Sequence, residues 1–320
     1  MSAQRLILLA LAALLIAAPA SATLKVVSTT SVLWDPIRHI GGEKVEAIYL
    51  ADPALCPHMQ PDVINNRIQL QREFIRDADL FVAHNGTVDQ TYVMPFVEKF
   101  MDANRYGEIA WVTPEDPAAI WNTPADARDL VTEVKGWLVA ADPANEAYYE
   151  ERYLSYIALI NATEPDEEER DLIGGQDVIV MYWQKDAAEQ WLGLNVVGFF
   201  APEFVLAGQH TPAKVVDDIN RNPDRYANVR YVIENMQSGE LAKGVEEALN
   251  DRGIPAERVV FTNFPKSVAG VESIPDVLSY NKGLVTPDPD AGDAPAQTPL
   301  SIAGPVAGLA AGILLASRRS

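Results

Sequence analysis

Short apolar segments of strand length alternate with helical segments along most of this chain, and this alternation constrains its fold more than any other feature. Strands that are separated by helices imply parallel βαβ units. The alternation occurs in two blocks, with strands predicted at residues 24–30, 45–50, 80–82 and 109–112, and then at 177–181, 195–200, 231–233 and 258–262. The sequence therefore predicts an α/β fold with two lobes, each a parallel β-sheet flanked by helices. Ligands of such sheets bind outside the carboxyl ends of the strands, so we expect a ligand cleft between the lobes.

Two helices are predicted between the blocks. The first runs from Pro124 to about Ala140, and a longer one starts at Asp142-Pro143 and continues through Asn161. Asp at the cap and Pro in the first turn are typical of a helix N-terminus. The predicted organisation is an N-terminal lobe at 23–141, a long linking helix at 142–163 and a C-terminal lobe at 164–285.

Residues 1–22 have the layout of a secretory signal peptide. Arg5 precedes an apolar run at 6–18, and the small residues Ala20-Ser21-Ala22 follow as a cleavage site. The alternative is an N-terminal membrane anchor, but the run is shorter than the roughly 20 residues of a transmembrane helix. We therefore predict export and removal of this segment.

The C-terminal end predicts a membrane tether. Residues 286–299 form an acidic spacer rich in Pro and Ala, and residues 300–320 contain an apolar run followed by Arg318-Arg319. The run is near the lower limit for crossing hydrocarbon, and its arginines favour a cytoplasmic end that leaves the body outside. Such a tail also resembles surface-sorting signals that are cut and replaced by a lipid. Both alternatives predict an extracytoplasmic protein, at the cell surface or in the periplasm, attached to a membrane.

The formal net charge of −20 limits the classes of partner. Nucleic acid is disfavoured because its phosphates would be repelled, whereas cations are mildly attracted. The single cysteine, Cys56, rules out an internal disulfide. The sequence has no phosphate-binding loop, nucleophile elbow or His-Glu-x-x-His pair, so we predict a binding protein and not an enzyme.

Short motifs follow one another in a distinctive order between residues 24 and 285. They are Val26-Val27-Ser28-Thr29-Thr30, Pro57-His58, Ala78-Asp79-Leu80 with Asn85-Gly86, Trp121-Asn122-Thr123-Pro124, Asp142-Pro143-Ala144-Asn145, Gly193-Leu194-Asn195 and Val232-Ile233-Glu234. In this order and spacing they resemble the metal-binding solute receptors of zinc and manganese ABC importers, in which a rigid helix joins two lobes. The resemblance implies a monomeric receptor that delivers a transition-metal ion, zinc or manganese, to an ABC permease and its ATPase.

The resemblance also implies four metal-ligand positions, of which this chain retains one. The histidine of the Pro-His loop is His58, whereas the other two histidines and the late carboxylate fall on Ala119, Tyr182 and Asn263. Alanine has no donor atom, and a phenol with a pKa of about 10 ligates poorly unless the metal deprotonates it. We therefore expect an affinity for zinc far below that of a complete site.

Other side chains are candidates for the missing donors. Glu234 follows a strand of the second lobe and would supply a carboxylate near the cleft. Cys56 and Met59 flank His58, and together with Met181 they would offer soft sulfur donors suited to Cu(I). Packing is the alternative explanation for all three sulfur side chains.

Two further histidines are weaker candidates for the site. His84 follows a strand end, and His210 lies in a turn ahead of a helix. Each either faces the cleft or hydrogen-bonds within its own loop. Three hypotheses follow: a transition-metal receptor, a receptor of the same fold for copper, a metal chelate or another small solute, and a tethered surface protein used for adhesion.

Overall fold

The first lobe is built on one parallel sheet with the strand order β2-β1-β3-β4. The computed structural model of the chain describes residues 23–116 and 120–287. The strands are β1 (Leu24–Ser28), β2 (Val45–Tyr49), β3 (Leu80–Val82) and β4 (Trp111–Val112). The helices between them are α1 (Ser31–Gly41), α2 (Pro61–Leu70), α3 (Arg72–Arg76), α4 (Thr87–Tyr92) and α5 (Met94–Asn104).

The second lobe repeats this arrangement, with a parallel sheet in the order β6-β5-β7-β8. Its strands are β5 (Asp177–Met181), β6 (Asn195–Phe200), β7 (Val229–Asn235) and β8 (Glu257–Phe261). Its helices are α8 (Glu167–Ile173), α9 (Pro212–Arg221), α10 (Lys243–Asp251) and α11 (Ile274–Val285). The predicted α/β class with two parallel sheets is confirmed.

Both sheets place their first strand between the second and the third. The connection from β2 to β3, and that from β6 to β7, therefore passes over the first strand of its sheet. The strand order consequently reverses between β1 and β3 in the first lobe and between β5 and β7 in the second. Loops after such strands form the ligand crevice of open α/β sheets. Here they begin at Thr29, Ala83, Tyr182 and Met236.

Two long helices, α6 (Pro124–Ala141) and α7 (Glu146–Asn161), follow one another in the chain between the two sheets. The Thr123 hydroxyl caps α6 by accepting a hydrogen bond from the amide of Asp126 at 3.1 Å. Asp142 does not cap α7, because its carboxylate accepts from the Asn145 amide at 2.6 Å and the Tyr149 hydroxyl at 2.8 Å. The helix consequently begins at Glu146, after a 3-10 turn at Pro143–Asn145, and not at Pro143 as the capping pattern predicts.

One apolar core extends through both lobes. Leu33 of α1, Tyr156 of α7, Val180 of β5 and Leu278 of α11 belong to the same buried cluster. Helix α11 packs against α1 and α7, although no helix is predicted there from the sequence. This last helix therefore helps to hold the lobes together.

Several local elements differ from their predictions. Polar and apolar residues at 62–77 follow helical spacing and predict one helix, which the structure interrupts at Gln71. The strand predicted at 109–112 is only Trp111–Val112. The segment at 186–192, between two predicted strands, also predicts a helix, and the structure has a π-helical turn there at Ala187–Trp191. None of these differences moves a strand end that faces the cleft.

No helix within residues 23–116 and 120–287 is long and apolar enough to cross a membrane. The predicted signal peptide at 1–22, most of the spacer at 286–299 and the apolar segment at 300–320 lie outside the described residues.

Candidate functional site

His58 lies in a 3-10 turn, Pro57–Met59, in the loop that follows β2. Buried Gln60 holds this loop in place, since its side chain accepts from the amide of Asp52 at 2.6 Å and donates to the carbonyls of Asp52 at 2.8 Å and Leu55 at 2.9 Å. The half-buried His58 imidazole has its centroid 6.0 Å from the ring of Tyr92 in the first lobe and 6.0 Å from that of Phe204 in the second. His58 therefore lies at the junction of the two lobes.

Tyr182 and His210 lie on the second-lobe side of the cleft and share one aromatic neighbour. The ring centroid of Phe199 is 6.0 Å from that of Tyr182 and stacks on His210 at 4.1 Å. The Tyr182 side chain is 38% exposed, so its hydroxyl-bearing ring is accessible to a ligand. The ring partners of Tyr182 and His210 belong to the second lobe, whereas His58 is flanked by rings from both.

Asn263 follows β8 and belongs to a chain of uncharged amides. Its side-chain oxygen accepts from the Nε2 of fully buried Gln184 at 2.6 Å, and the Oε1 of Gln184 accepts from Asn122 at 3.2 Å. The backbone carbonyl of Asn263 accepts from the indole of Trp121 at 2.6 Å. The position where the resemblance implies a carboxylate thus holds an amide that is already hydrogen-bonded.

Gln237 extends this amide network across the cleft. Its Nε2 donates to the carbonyl of Pro53 in the first lobe at 2.8 Å and to the Thr262 hydroxyl at 3.1 Å. Its Oε1 accepts from the amide of Asn263 at 3.3 Å. The network therefore joins the two lobes, and it does so without any charged group.

His84 is enclosed behind the Trp121 ring, on which it stacks at a centroid distance of 4.5 Å. Its Nε2 is 3.0 Å from the Thr30 hydroxyl, and its Nδ1 is buried with no partner among the described residues. Burial lowers the pKa of His84, although the nearby carboxylate of Asp89 opposes this effect. The lowered pKa favours the neutral imidazole, and the Trp121 ring covers one face of it.

Glu234 lies inside the second lobe and does not offer a free carboxylate to the cleft. It is fully buried, its Oε2 accepts from Arg258 at 2.7 Å, and its Oε1 accepts from the amide of Ala242 at 2.9 Å. Burial raises its pKa, and the hydrogen bonds from Ala242 and Arg258 oppose that shift. Since both oxygens are occupied, this carboxylate stabilises the β7–β8 region.

The sulfur atoms do not converge on one site. Met181 is fully buried in the apolar core of the second lobe, whereas Met59 is 57% exposed. Cys56 is half-buried, and burial raises the pKa of its thiol despite a hydrogen bond from the backbone of His58. For Met181 the packing explanation is confirmed, because its side chain lies in the core of the second lobe.

No group of three or more His, Cys, Asp and Glu side chains is arranged to hold a metal ion within the described part of the chain. Ala119, where the resemblance implies a second histidine, lies outside the described residues. Of the four positions that the resemblance implies, those with donor atoms in the described residues are the imidazole of His58, the phenol of Tyr182 and the amide of Asn263, which is already hydrogen-bonded.

The family model of the periplasmic zinc-uptake complex component A, ZnuA, matches residues 26–281. The chain belongs to this family. A comparison with curated proteins found no match.

Solved structures of periplasmic metal-binding proteins have the same fold as this ZnuA-family chain. One from Candidatus Liberibacter asiaticus is 17% identical with a TM-score of 0.60, covering 82% of this chain and 98% of that one. A crystal structure of ZnuA is 18% identical with a TM-score of 0.56, covering 82% and 99%. The zinc-binding protein TroA of Treponema pallidum is 14% identical with a TM-score of 0.57, covering 82% and 97%.

Sequence reasoning missed the amide network, although some signals were present. Trp121 and Asn122 belong to a motif that carried the resemblance, and both contact the second lobe. Gln184 follows a strand by three residues and is fully buried, which is uncommon for an amide unless its hydrogen bonds are satisfied. Gln237 likewise follows a strand, by two residues, but its partner Pro53 lies 184 positions away in the other lobe.

Proposed function

We propose that this protein is the extracytoplasmic receptor of an ABC importer, which captures a transition-metal ion of the zinc or manganese class between its lobes and delivers it to a permease and its ATPase. The observation that carries the proposal is the position of the His58 imidazole, between Tyr92 of one lobe and Phe204 of the other. A ligand held there would contact both lobes, and the permease could then distinguish the loaded receptor from the empty one. Membership of the zinc-uptake family supports the metal as cargo.

The donor set proposed for the ion is His58, Tyr182 and Asn263. Asn263 would have to release Gln184, which donates to its side-chain oxygen at 2.6 Å. Zinc in proteins takes about four donors, and anionic ligands lower the cost of removing its water. Because this set is neutral and incomplete, we infer weak binding of the bare ion.

The family description, periplasmic, supports a location outside the cytoplasm. We propose that residues 1–22 direct export and that residues 300–320 tether the protein to a membrane through the spacer at 286–299. We also propose the boundaries 23–141, 142–163 and 164–285 for the first lobe, the linking helix and the second lobe, and a monomeric state.

Calorimetric titration of the metal-stripped protein with Zn²⁺, Mn²⁺ and Cu⁺ tests the proposal. We expect one ion per protein, with an affinity that His58→Ala abolishes and His39→Ala leaves unchanged. His39 is the matched control, because it lies at the end of α1 against Tyr156 and away from the cleft loops. Binding that is equal in the two variants would contradict the role of His58.

A further inference from the structure

Exposed apolar side chains are concentrated on the loops that border the cleft. Nine large apolar side chains are exposed among the described residues; five of them lie on loops or turns after the carboxyl ends of strands, and a sixth, Tyr92, is the last residue of helix α4. The six are Leu55, Met59, Tyr92, Tyr182, Phe204 and Leu206. Exposed apolar groups that gather in one region mark a binding surface more often than isolated ones do.

Two of these side chains flank the imidazole of His58 at the lobe junction. The rings of Tyr92 and Phe204 are each 6.0 Å from the His58 imidazole, and Phe204 is 69% exposed. Met59 adjoins His58 in the same turn. A ligand that approaches the imidazole therefore contacts aromatic and apolar side chains from both lobes.

The polar groups of the amide network and the Glu234 carboxylate are not available to such a ligand. Gln184 donates to the side chain of Asn263, and the amide of Asn263 donates to Gln237. Glu234 is paired with Arg258. The crevice between the loop at 51–57 and Phe264 has no room for a water molecule. A bare ion at His58 would consequently keep most of its hydration and gain one strong bond.

We propose that the cargo is a transition-metal ion already held by an aromatic organic chelator, with one coordination position that the His58 imidazole fills. The chelator supplies the donors that the protein lacks, and its rings pack against Phe204 and Tyr92. Binding exchanges one metal-bound water for an imidazole nitrogen, with no change of oxidation state. This inference rests on the proposed function and names the form in which the metal arrives.

The charge of the protein restricts the class of chelate. A formal net charge of −20 repels an anionic complex and attracts a cationic one. Neutral or cationic complexes of nitrogen-donor aromatic chelators fit this condition, whereas complexes rich in free carboxylates do not.

A pair of copper complexes tests the inference on the full exported protein. Cu(II)–terpyridine and Cu(II)–diethylenetriamine carry the same charge, bind copper through three nitrogens and leave one in-plane position for an imidazole, but only the first is aromatic. We expect calorimetry to show one Cu(II)–terpyridine per protein, bound about tenfold more tightly than the aliphatic complex, the contribution of two aromatic contacts.

Variants separate coordination from stacking. His58→Ala should abolish specific binding of both complexes, and Phe204→Ala should weaken only the terpyridine complex, by about fivefold. Leu154→Ala removes an exposed apolar side chain from α7 and should change neither.

The alternative outcomes are distinguishable. Equal affinity for the two complexes, both dependent on His58, overturns the aromatic chelate and leaves a metal receptor at His58. Tight binding of bare Zn²⁺ at His58, with no preference for the terpyridine complex, also overturns the aromatic chelate and leaves a metal receptor at His58. If His58→Ala binds the copper complexes with unchanged affinity, both this inference and the role of His58 as a donor are overturned.

Discussion

Asp35 of α1 accepts a hydrogen bond from the hydroxyl of Tyr156 in α7, and both side chains are buried. The same carboxylate oxygen accepts from the amide of Ile274, at the start of α11, at 2.7 Å. Burial raises the pKa of Asp35 to about 7, although both hydrogen bonds oppose the shift. One side chain thus joins a first-lobe helix, the connecting helix and the last helix, and it is most stable there when protonated.

Asp35 should make the stability of the fold depend on pH. The pKa in the folded protein lies above the ordinary value of 3.8, so the folded state binds this proton more tightly than the unfolded state does. The resulting stabilisation is complete below the ordinary value and is lost as the pH rises toward 7, with a total of about 4 kcal/mol.

Urea unfolding of the protein and of Asp35→Asn between about pH 4 and pH 8 measures this effect. The variant should lack the decrease in unfolding free energy, whereas Glu43→Gln, which removes an exposed carboxylate just after α1, should retain it. An identical pH dependence in Asp35→Asn and in the unchanged protein would refute the assignment.

Glu234 should prove structural. Glu234→Ala leaves Arg258 without its buried partner and the amide of Ala242 without its acceptor, so we expect a loss of about 3 kcal/mol of unfolding free energy. Glu240→Ala, on the loop before α10, is the surface control. Retained stability together with lost metal binding in Glu234→Ala would instead identify this carboxylate as a ligand.

Gln237 should control how firmly the lobes are closed. Gln237→Ala removes the donor to Pro53 and the acceptor of the Asn263 amide, which should cost about 2 kcal/mol and speed hydrogen exchange in the loop at 52–60. Gln190→Ala, which removes a hydrogen bond to Asp186 within the second lobe, should not alter that exchange. If exchange in the loop is the same in both variants, Gln237 does not join the lobes.

The loop that carries Phe204 contains backbone strain. Leu206 and Ala207 have φ angles of 50° and 52°, in the left-handed region that costs a non-glycine residue about 1 kcal/mol. Ala207→Gly should therefore maintain or raise the unfolding free energy, by up to about 1 kcal/mol. Ala158→Gly, in the exposed interior of α7, should lower it by about 1 kcal/mol. A comparable destabilisation by both substitutions would show that Ala207 is not strained.

The two-lobe fold was predictable because its strands are short apolar runs between helices, and this pattern is visible in consecutive residues of the sequence. Helix α11 was missed although its start carries local signals, since Ser273 caps it by accepting from the amide of Asp276 and Pro275 lies in its first turn. The start of α7 was misplaced because the Asp142 carboxylate bonds the side chains of Asn145 and Tyr149 in place of backbone amides.

The site was less predictable than the fold. His58 could be singled out from its Pro-His loop, but its aromatic neighbours come from separate parts of the chain. The bond between Gln184 and Asn263 spans 79 positions, and that between Trp121 and Asn263 spans 142, so no local pattern reveals them. Glu234 follows the expected strand, yet its partner Arg258 on β8 keeps it inside the lobe.

The imidazole nitrogen resonances of the four histidines, followed by NMR while Zn²⁺ is added, test most directly whether His58 holds the metal. The account predicts that zinc shifts the resonances of His58, that those of His39 stay unchanged, and that Phe204 and Tyr92 ring signals respond with His58. Unchanged His58 resonances at a zinc concentration that saturates the protein would contradict it.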